Sequence, residues 1–444
     1  MKYRASALLL GVALMVGVAS LPMNSAFATT PVMHMEPEAG YGWVIPVIQS
    51  AKRSVDLSMY ELEDSAIESA LIAKAKTGVR VRVLLNLDYT GTKANTPAVQ
   101  AFAGTKVQVR WAPANQIFHA KYVVIDGTSG WIGTGNFTPQ YYSSSRDVWV
   151  LTTTASQVAA MAGTFQHDFS GAVNQLVRGP NIVWSPGSAP TLVSVINAAR
   201  HTLWVENEEM KNTTIQSALA AAAHRGVVVH ITMTQSSSWT AALTVLATAG
   251  VKVVTHSSSQ LYIHAKLICA DCSARGGELF LGSENFSTYS LNYNRELGVI
   301  TTNPAVVGPV YGALTQDAAS GTPLTVVHPA PGHTLSVISA PTTVALGDYP
   351  TVTVATRAGA TCTLVMTLPS GRVSAASGLG TATADGAGHA SWTWHISTRT
   401  GPGTGSWTAP ARPARSRETS LFSSAKIFGP SRDTFLAAGN YLKN

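Results

Sequence analysis

Only three of the 444 residues are cysteine, charged residues make up just 12% of the chain, and no apolar run beyond residue 30 is long enough to cross a bilayer. Each shortage excludes something. Three cysteines cannot all pair with one another, and with neither a second Cys pair nor a His-Glu-x-x-His stretch the chain lacks a ligand set for zinc. The sparse charge is balanced over most of the chain: residues 29–330 hold 19 Lys and Arg against 19 Asp and Glu. The net +7 arises from Lys2 and Arg4, from residues 331–402, and above all from the stretch after 403. A nonspecific nucleic-acid enzyme carries its positive footprint on the domain that does the chemistry, so this distribution disfavours nucleic acid as the main partner. Apolar residues at 45% exclude a disordered chain, and the length allows two or three domains.

The first 28 residues combine Lys2 and Arg4 with an apolar run from Ala5 to Leu21 and small residues at Ala26 and Ala28. This is the pattern of a secretory signal peptide, with cleavage expected after Ala28. The rival reading, an uncleaved anchor, has a slightly short run, and no Cys stands near the cleavage position to suggest a lipoprotein. The expected location is therefore secreted or cell-surface.

One sparse pattern occurs twice: His119-x-Lys121 followed by Asp126, and His264-x-Lys266 followed by Asp271. Each is trailed by a small Gly-hydroxyl-x-Asn element, Gly133-Thr134-Gly135-Asn136 and Gly282-Ser283-Glu284-Asn285, and eleven residues beyond each Asn stands an acid after an Arg, Arg146-Asp147 and Arg295-Glu296. The spacing between Asp126 and Gly133 differs from that between Asp271 and Gly282, as an insertion in one loop of a duplicated unit would produce. The residue types suit attack on a phosphodiester. One neutral imidazole can act as nucleophile, a second can donate a proton to the leaving oxygen, and cations can neutralise the phosphoryl oxygens. In an extended strand the two-residue step from His to Lys points both side chains to one face. Asn136 and Asn285, with the hydroxyls of Thr134 and Ser283, can donate to the same phosphate. Asp147 and Glu296 are candidates to hold the far ring nitrogens and so orient the histidines.

These paired motifs resemble those of the phospholipase D superfamily, over about residues 40–320. The resemblance implies two repeats meeting at one active site, a covalent phosphohistidine intermediate, and no metal or other cofactor. It makes His119 the nucleophile and His264 the general acid, with Lys121, Lys266, Asn136 and Asn285 on the phosphate. Asp126 and Asp271 would stabilise the site from farther away. Two departures stand out: Thr134 replaces the commoner Ser, and Asp271 lies between Cys269 and Cys272. Those cysteines can bridge if the chain turns there, and lie too far apart if it stays extended.

The duplication extends upstream. Strand-like Ser54 to Tyr60, helical Ser65 to Lys76, Gly78 and strand-like Val79 to Leu85 are matched by Thr202 to Glu208, Thr213 to His224, Gly226 and Val227 to Met233, with the glycines as helix caps. Further helices are expected at Pro97 to Ala103, Ala155 to Val173, Trp239 to Ala249 and Pro304 to Asp317. The glycine-rich Gly127 to Gly135 opens no helix and is followed by Pro139, so it reads as turns, not as a dinucleotide loop. The fold class is α/β: two similar units, residues 29–175 and 176–326, packed face to face as mixed sheets flanked by helices. From about Val327 the pattern changes to short alternating strands, and residues 327–406 read as a small β-sandwich resembling bacterial immunoglobulin-like modules. After Ser406 the alternation stops, and residues 407–444 are expected to be a basic, Pro-rich, poorly ordered tail.

The expected activity is a secreted phospholipase D-type phosphodiesterase that hydrolyses or transfers phosphatidyl groups, phosphatidylcholine being the favoured substrate class. Its partners would be a phospholipid or other phosphodiester and a membrane surface, and the chain would be a monomer because both motifs lie in it. An exported metal-independent endonuclease and a non-catalytic cell-surface binding protein are the alternatives.

Overall fold

A computed structural model describes residues 32–324, 335–412 and 419–428, apart from positions 275, 342, 371 and 402. The proposed signal peptide lies outside the described residues. The first repeat contains β1 (Met33–Glu36), α1 (Val44–Ser50), β2 (Ser54–Met59), α2 (Ser65–Lys76), β3 (Arg80–Leu85), α3 (Gly91–Phe102), β4 (Gln108–Trp111), β5 (Lys121–Ile125), β6 (Ser129–Gly133), β7 (Ser145–Thr152) and α4 (Ala155–Ser170). The second contains β8 (Ile182–Ser185), α5 (Ala189–Ala198), β9 (Thr202–Glu206), α6 (Thr213–His224), β10 (Val228–Thr234), α7 (Thr240–Thr248), β11 (Lys252–His256), β12 (Tyr262–Ile263), β13 (Leu267–Ala270), β14 (Glu278–Gly282), α8 (Thr288–Asn292), β15 (Glu296–Thr301), α9 (Pro304–Ser320) and β16 (Thr322–Pro323).

Each repeat builds one mixed sheet. The first runs β1-β7-β6-β5-β2-β3-β4 and the second β16-β11-β10-β9-β13-β14-β15-β8. Within each repeat's own sheet, parallel pairing is confined to β2-β3-β4 and β9-β10-β11, where helices cross over between strands. Local chemistry explains the crossovers. Asp64 caps α2 by accepting from the amides of Ala66 and Ile67, Asn212 caps α6 through Ile215, and Gly78 and Gly226 take the left-handed backbone just past each helix, with φ 92° and 90°. Helix α3 starts six residues before the expected Pro97 and carries that proline inside it. The buried Asn95 anchors its first turns by bonding Tyr60, Leu62 and Asn86.

Between the sheets lies a shared core. Phe118, Tyr122, Val124, Ile132 and Phe165 of the first repeat pack with Leu267, Leu279, Leu281, Leu297 and Val310 of the second, so α4 and α9 lie inside the sandwich and the remaining long helices outside it. Val158, Met161 and Phe165 recur at helical spacing along α4, as do Val306, Val310 and Leu314 along α9. Burying each such side chain contributes about 1.5–3 kcal/mol. The seam is also stitched by backbone. Strand β12 of the second repeat pairs with β7 of the first, and Phe118 bridges Arg295 in the mirrored position.

Beyond residue 335 two small sheets share a core containing Val352, Val354, Leu364, Trp392, Trp394 and Trp407. Cys362 is buried and free. Strand pairing does not stop at Ser406 as the sequence pattern suggests. Gly403–Arg412 and Thr419–Phe428 form an antiparallel ladder that completes the larger sheet, so the expectation of a poorly ordered tail from 407 fails for these two segments. Ladder bonds are made by backbone, which pairs without the apolar alternation that the sequence reading relied on.

Candidate active site

The two His-Lys pairs stand where the sheets meet. Lys121 opens β5 and Lys266 immediately precedes β13, so each His lies in the extended segment ahead of its strand and not inside it. Those segments are held from both sides. The amide of Phe118 donates to Asn86 and that of Ile263 to Thr234, at 2.8 Å each, within their own repeats. From across the seam, the carbonyl of Arg295 accepts from the amides of His119 and Ala120, and the carbonyl of Ser144 accepts from Tyr262.

The histidine partners are exchanged between repeats. His119 Nδ1 lies 2.8 Å from Glu296 Oε2, and His264 Nδ1 lies 2.9 Å from Asp147 Oδ1. Each imidazole of one repeat is thus oriented by the acid of the other, which leaves its Nε2 for chemistry. Both side chains are only 10% exposed. Burial disfavours the charged carboxylates, but the facing imidazole and the nearby lysines outweigh it and hold both Asp147 and Glu296 below the ordinary range. His119 is pushed down chiefly by burial, against the pull of Glu296. Burial and then the Lys266 ammonium push Lys121 down to about 7, against Glu296, Glu208 and Glu61. That mutual influence puts the two lysines in one electrostatic field.

The hydroxyls of Thr134 and Ser283 are not on the phosphate side, which corrects the sequence expectation. Thr134 donates to Asp147 at 2.6 Å and Ser283 to Glu296 at 2.7 Å, and each accepts a backbone amide, from Val148 and Leu297. A hydroxyl has one proton to donate, and here it is committed to the carboxylate. Ser145, Ser290 and Asn294 add further donors to the same acids. The amides of Asn136 and Asn285 face two other carboxylates, Glu61 at 3.4 Å and Glu208 at 3.1 Å.

Asp126 and Asp271 lie away from the histidines. With φ of 55° and 52°, each folds back onto the start of a strand: Asp126 accepts from the amides of Lys52, Arg53 and Ser54 at 2.6–2.8 Å, and Asp271 from those of Arg200, His201 and Thr202 at 2.8 Å. Burial opposes their charge, but the amides win and hold both carboxyls below the ordinary range. The turn at Asp271 brings Cys269 and Cys272 to a Cα separation of 5.7 Å, and they are bridged. Asp126→Ala removes all three acceptor bonds and puts a Cβ residue with no local partner at positive φ. It is expected to destabilise the protein by about 2–4 kcal/mol in urea melts. A loss under about 0.5 kcal/mol contradicts this anchoring role.

Sequence reasoning missed two sets of residues. The first is a pair of crossed clamps. Arg146 is bonded to Asp317 on α9, and Arg295 to Asp168 on α4. The spacing Arg146 to Asp168 equals that of Arg295 to Asp317, a signal that a repeat alignment contains. The second is Glu208. Counting from Ser54 and Thr202, which bond the equivalent aspartates, Glu208 stands where the first repeat has Tyr60.

Comparison with known proteins agrees with the duplicated architecture. The family model described as "Cardiolipin synthase, PLD-like domain" matches residues 44–169 and again 192–317. The chain belongs to the phospholipase D superfamily. Cardiolipin synthase A of Pseudomonas syringae pv. syringae (strain B728a) is 24% identical over 328 residues, 63% of this chain and 66% of that protein. Mitochondrial cardiolipin hydrolase of Xenopus laevis is 26% identical over 129 residues, 29% of this chain and 60% of that protein. These alignments therefore span a little under two thirds of each relative's length. Among solved structures, polyphosphate kinase from Porphyromonas gingivalis superposes with a TM-score of 0.51 at 15% identity, covering 64% of this chain and 50% of that one. That likeness speaks to the fold alone.

Proposed function

We propose that this protein is an exported phospholipase D-type enzyme that cleaves phosphatidyl head groups, phosphatidylcholine being the favoured class. The observation that carries this reading is the reciprocal pairing of two buried imidazoles with carboxylates of the opposite repeat. In the proposed cycle the Nε2 lone pair of His119 attacks phosphorus. The bond from phosphorus to the head-group oxygen breaks, and that oxygen takes the proton from His264 Nε2. Lys121 and Lys266 neutralise the phosphoryl oxygens, and the amides of Asn136 and Asn285 donate hydrogen bonds to them. A water or alcohol then gives its proton to His264, attacks phosphorus, and returns the electron pair to His119. The balanced charge of residues 29–330 and the leader-like residues 1–28 support a lipid substrate met outside the cell. The sandwich-like C-terminal sheets would act as an immunoglobulin-like binding or spacing module.

The test supplies the purified mature chain with phosphatidylcholine vesicles plus a primary alcohol, and separately with plasmid DNA, both in excess chelator. Choline release with formation of the phosphatidyl alcohol supports the reading, whereas nicked DNA without lipid turnover contradicts it.

The electrostatics give a pH dependence. Attack needs neutral His119, whose proton leaves below the ordinary 6.5, and anion binding needs protonated Lys121, which titrates at about 7. The free-enzyme parameter kcat/KM is therefore expected to rise with pH through the His119 ionisation and to fall above about 7 as Lys121 loses its charge. A profile still rising at pH 9 contradicts this assignment.

A further inference from the structure

Half of the phosphate cradle already holds an anion. Glu208 Oε2 lies 3.1 Å from Lys266 Nζ, 3.1 Å from Asn285 Nδ2 and 3.5 Å from His264 Nε2, and Oε1 accepts from the Tyr262 hydroxyl at 2.5 Å. These are the groups assigned above to the phosphoryl oxygens and to protonation of the leaving alcohol. The first repeat has only a weaker counterpart, Glu61, which lies 3.4 Å from Asn136 and makes no ion pair with Lys121 among the described contacts. There Tyr60 occupies the position, its ring 4.7 Å from the His119 ring and 5.0 Å from the Lys121 ammonium, and it brings no charge. Burial opposes the charge on Glu208, but Lys266 and His264 hold its carboxyl well below the ordinary range, so it is an anion in the free protein. When a phosphate takes Lys266 and Asn285, this carboxylate loses its nearest cation and keeps only the His264 ring at 3.5 Å, which gives up its proton to the departing oxygen. A partly buried anion left without compensation is costly.

We propose that Glu208 selects substrates whose leaving alcohol carries a positive charge, the ammonium taking over from Lys266 as the counter-ion of Glu208. This rests on the assignment of His264 to the leaving-group side. The surroundings fit an ammonium. Tyr262 lies beside Glu208, the 44% exposed Tyr141 ring is 6.0 Å from Tyr262, and Glu61 and Glu63 add negative potential around Tyr141. Aromatic faces and carboxylates together favour an alkylammonium over a neutral polyol. A glycerol head group would leave Glu208 with only the Tyr262 hydroxyl and the His264 ring, and with no cation once His264 has given up its proton.

The experiment measures calorimetric Kd values for phosphocholine and for glycerol 3-phosphate with the full mature chain, alongside kcat/KM on phosphatidylcholine and phosphatidylglycerol vesicles. The wild type is expected to bind phosphocholine at least about ten-fold more tightly, a margin of about 1.4 kcal/mol. Glu208→Gln should bring the ratio close to one, Glu208→Asp should retain part of it, and Glu209→Gln, a neighbouring carboxylate paired with Lys211, should leave it intact. An unchanged ratio in Glu208→Gln, or no preference in the wild type, overturns the proposal. If the ligand preference holds and vanishes in Glu208→Gln while neither lipid is cleaved, the selector role stands and the phospholipase reading fails. Should Glu208→Gln fail to fold, Glu208→Asp decides by whether the ratio falls.

Discussion

His119→Ala is expected to lower phosphodiester turnover by about 10⁴-fold or more while leaving the fold intact. The His119 side chain is buried and its Nδ1 is bonded to Glu296, so the substitution removes the proposed nucleophile together with its orienting bond. The stability change should be small by comparison. Removing the ring deletes the partner of Glu296, but Ser283, Ser290 and Asn294 still donate to that carboxylate. Comparison of circular dichroism with turnover separates the two effects. An active His119→Ala protein would mean that another group attacks phosphorus. His264→Ala is expected to be nearly as damaging on substrates with poor leaving groups and less so on those with good ones, because its proton matters most where the departing oxygen is basic.

Arg295→Met should produce the largest loss of stability. The guanidinium is 1% exposed, binds both oxygens of Asp168 at 3.0 and 3.1 Å, donates to the carbonyls of Ser185 and Val173, and lies over the Phe118 ring. Asp168 and Phe118 belong to the first repeat and Arg295 to the second, so this one side chain joins both halves beneath His119. Burial raises the Asp168 carboxyl to about 6 even with Arg295 beside it, and without that cation the acid is buried and unpaired. The expected loss is about 3–5 kcal/mol, or roughly 5–15 °C in melting temperature. Asp168→Leu combined with Arg295→Met should recover much of it, since an apolar pair leaves no uncompensated charge. A single Arg295→Met that costs less than about 1 kcal/mol would contradict the clamp.

Much of this was legible in the sequence because duplication marks what matters. His119, Lys121, His264 and Lys266 stand out by recurring at fixed spacing, and the strand and helix order of both repeats follows from the same alignment. What alignment hides is exchange. His119 meets an acid 177 positions away and His264 one 117 positions away, and nothing local reveals that each acid serves the opposite repeat. Thr134 and Ser283 were placed on the phosphate because hydroxyls in such a motif suit it, yet the carboxylates beneath are the nearer acceptors. Glu208 escaped for the opposite reason: a search for what two copies share passes over the position where they differ, and Tyr60 and Glu208 differ in charge. The strands beyond Ser406 carry little apolar alternation, so only their backbone pairing reveals them.

The central claim is that imidazoles from both repeats act on one phosphorus, His119 forming the covalent bond. Rapid acid-free quenching of the protein with a short-chain phosphatidylcholine, followed by proteolysis and mass spectrometry at alkaline pH, where phosphohistidine survives, tests it most directly. The expected result is a phosphatidyl adduct on the peptide containing His119, absent in His119→Ala and longer-lived in His264→Ala. An adduct on any other residue, or steady turnover in His119→Ala, would contradict it.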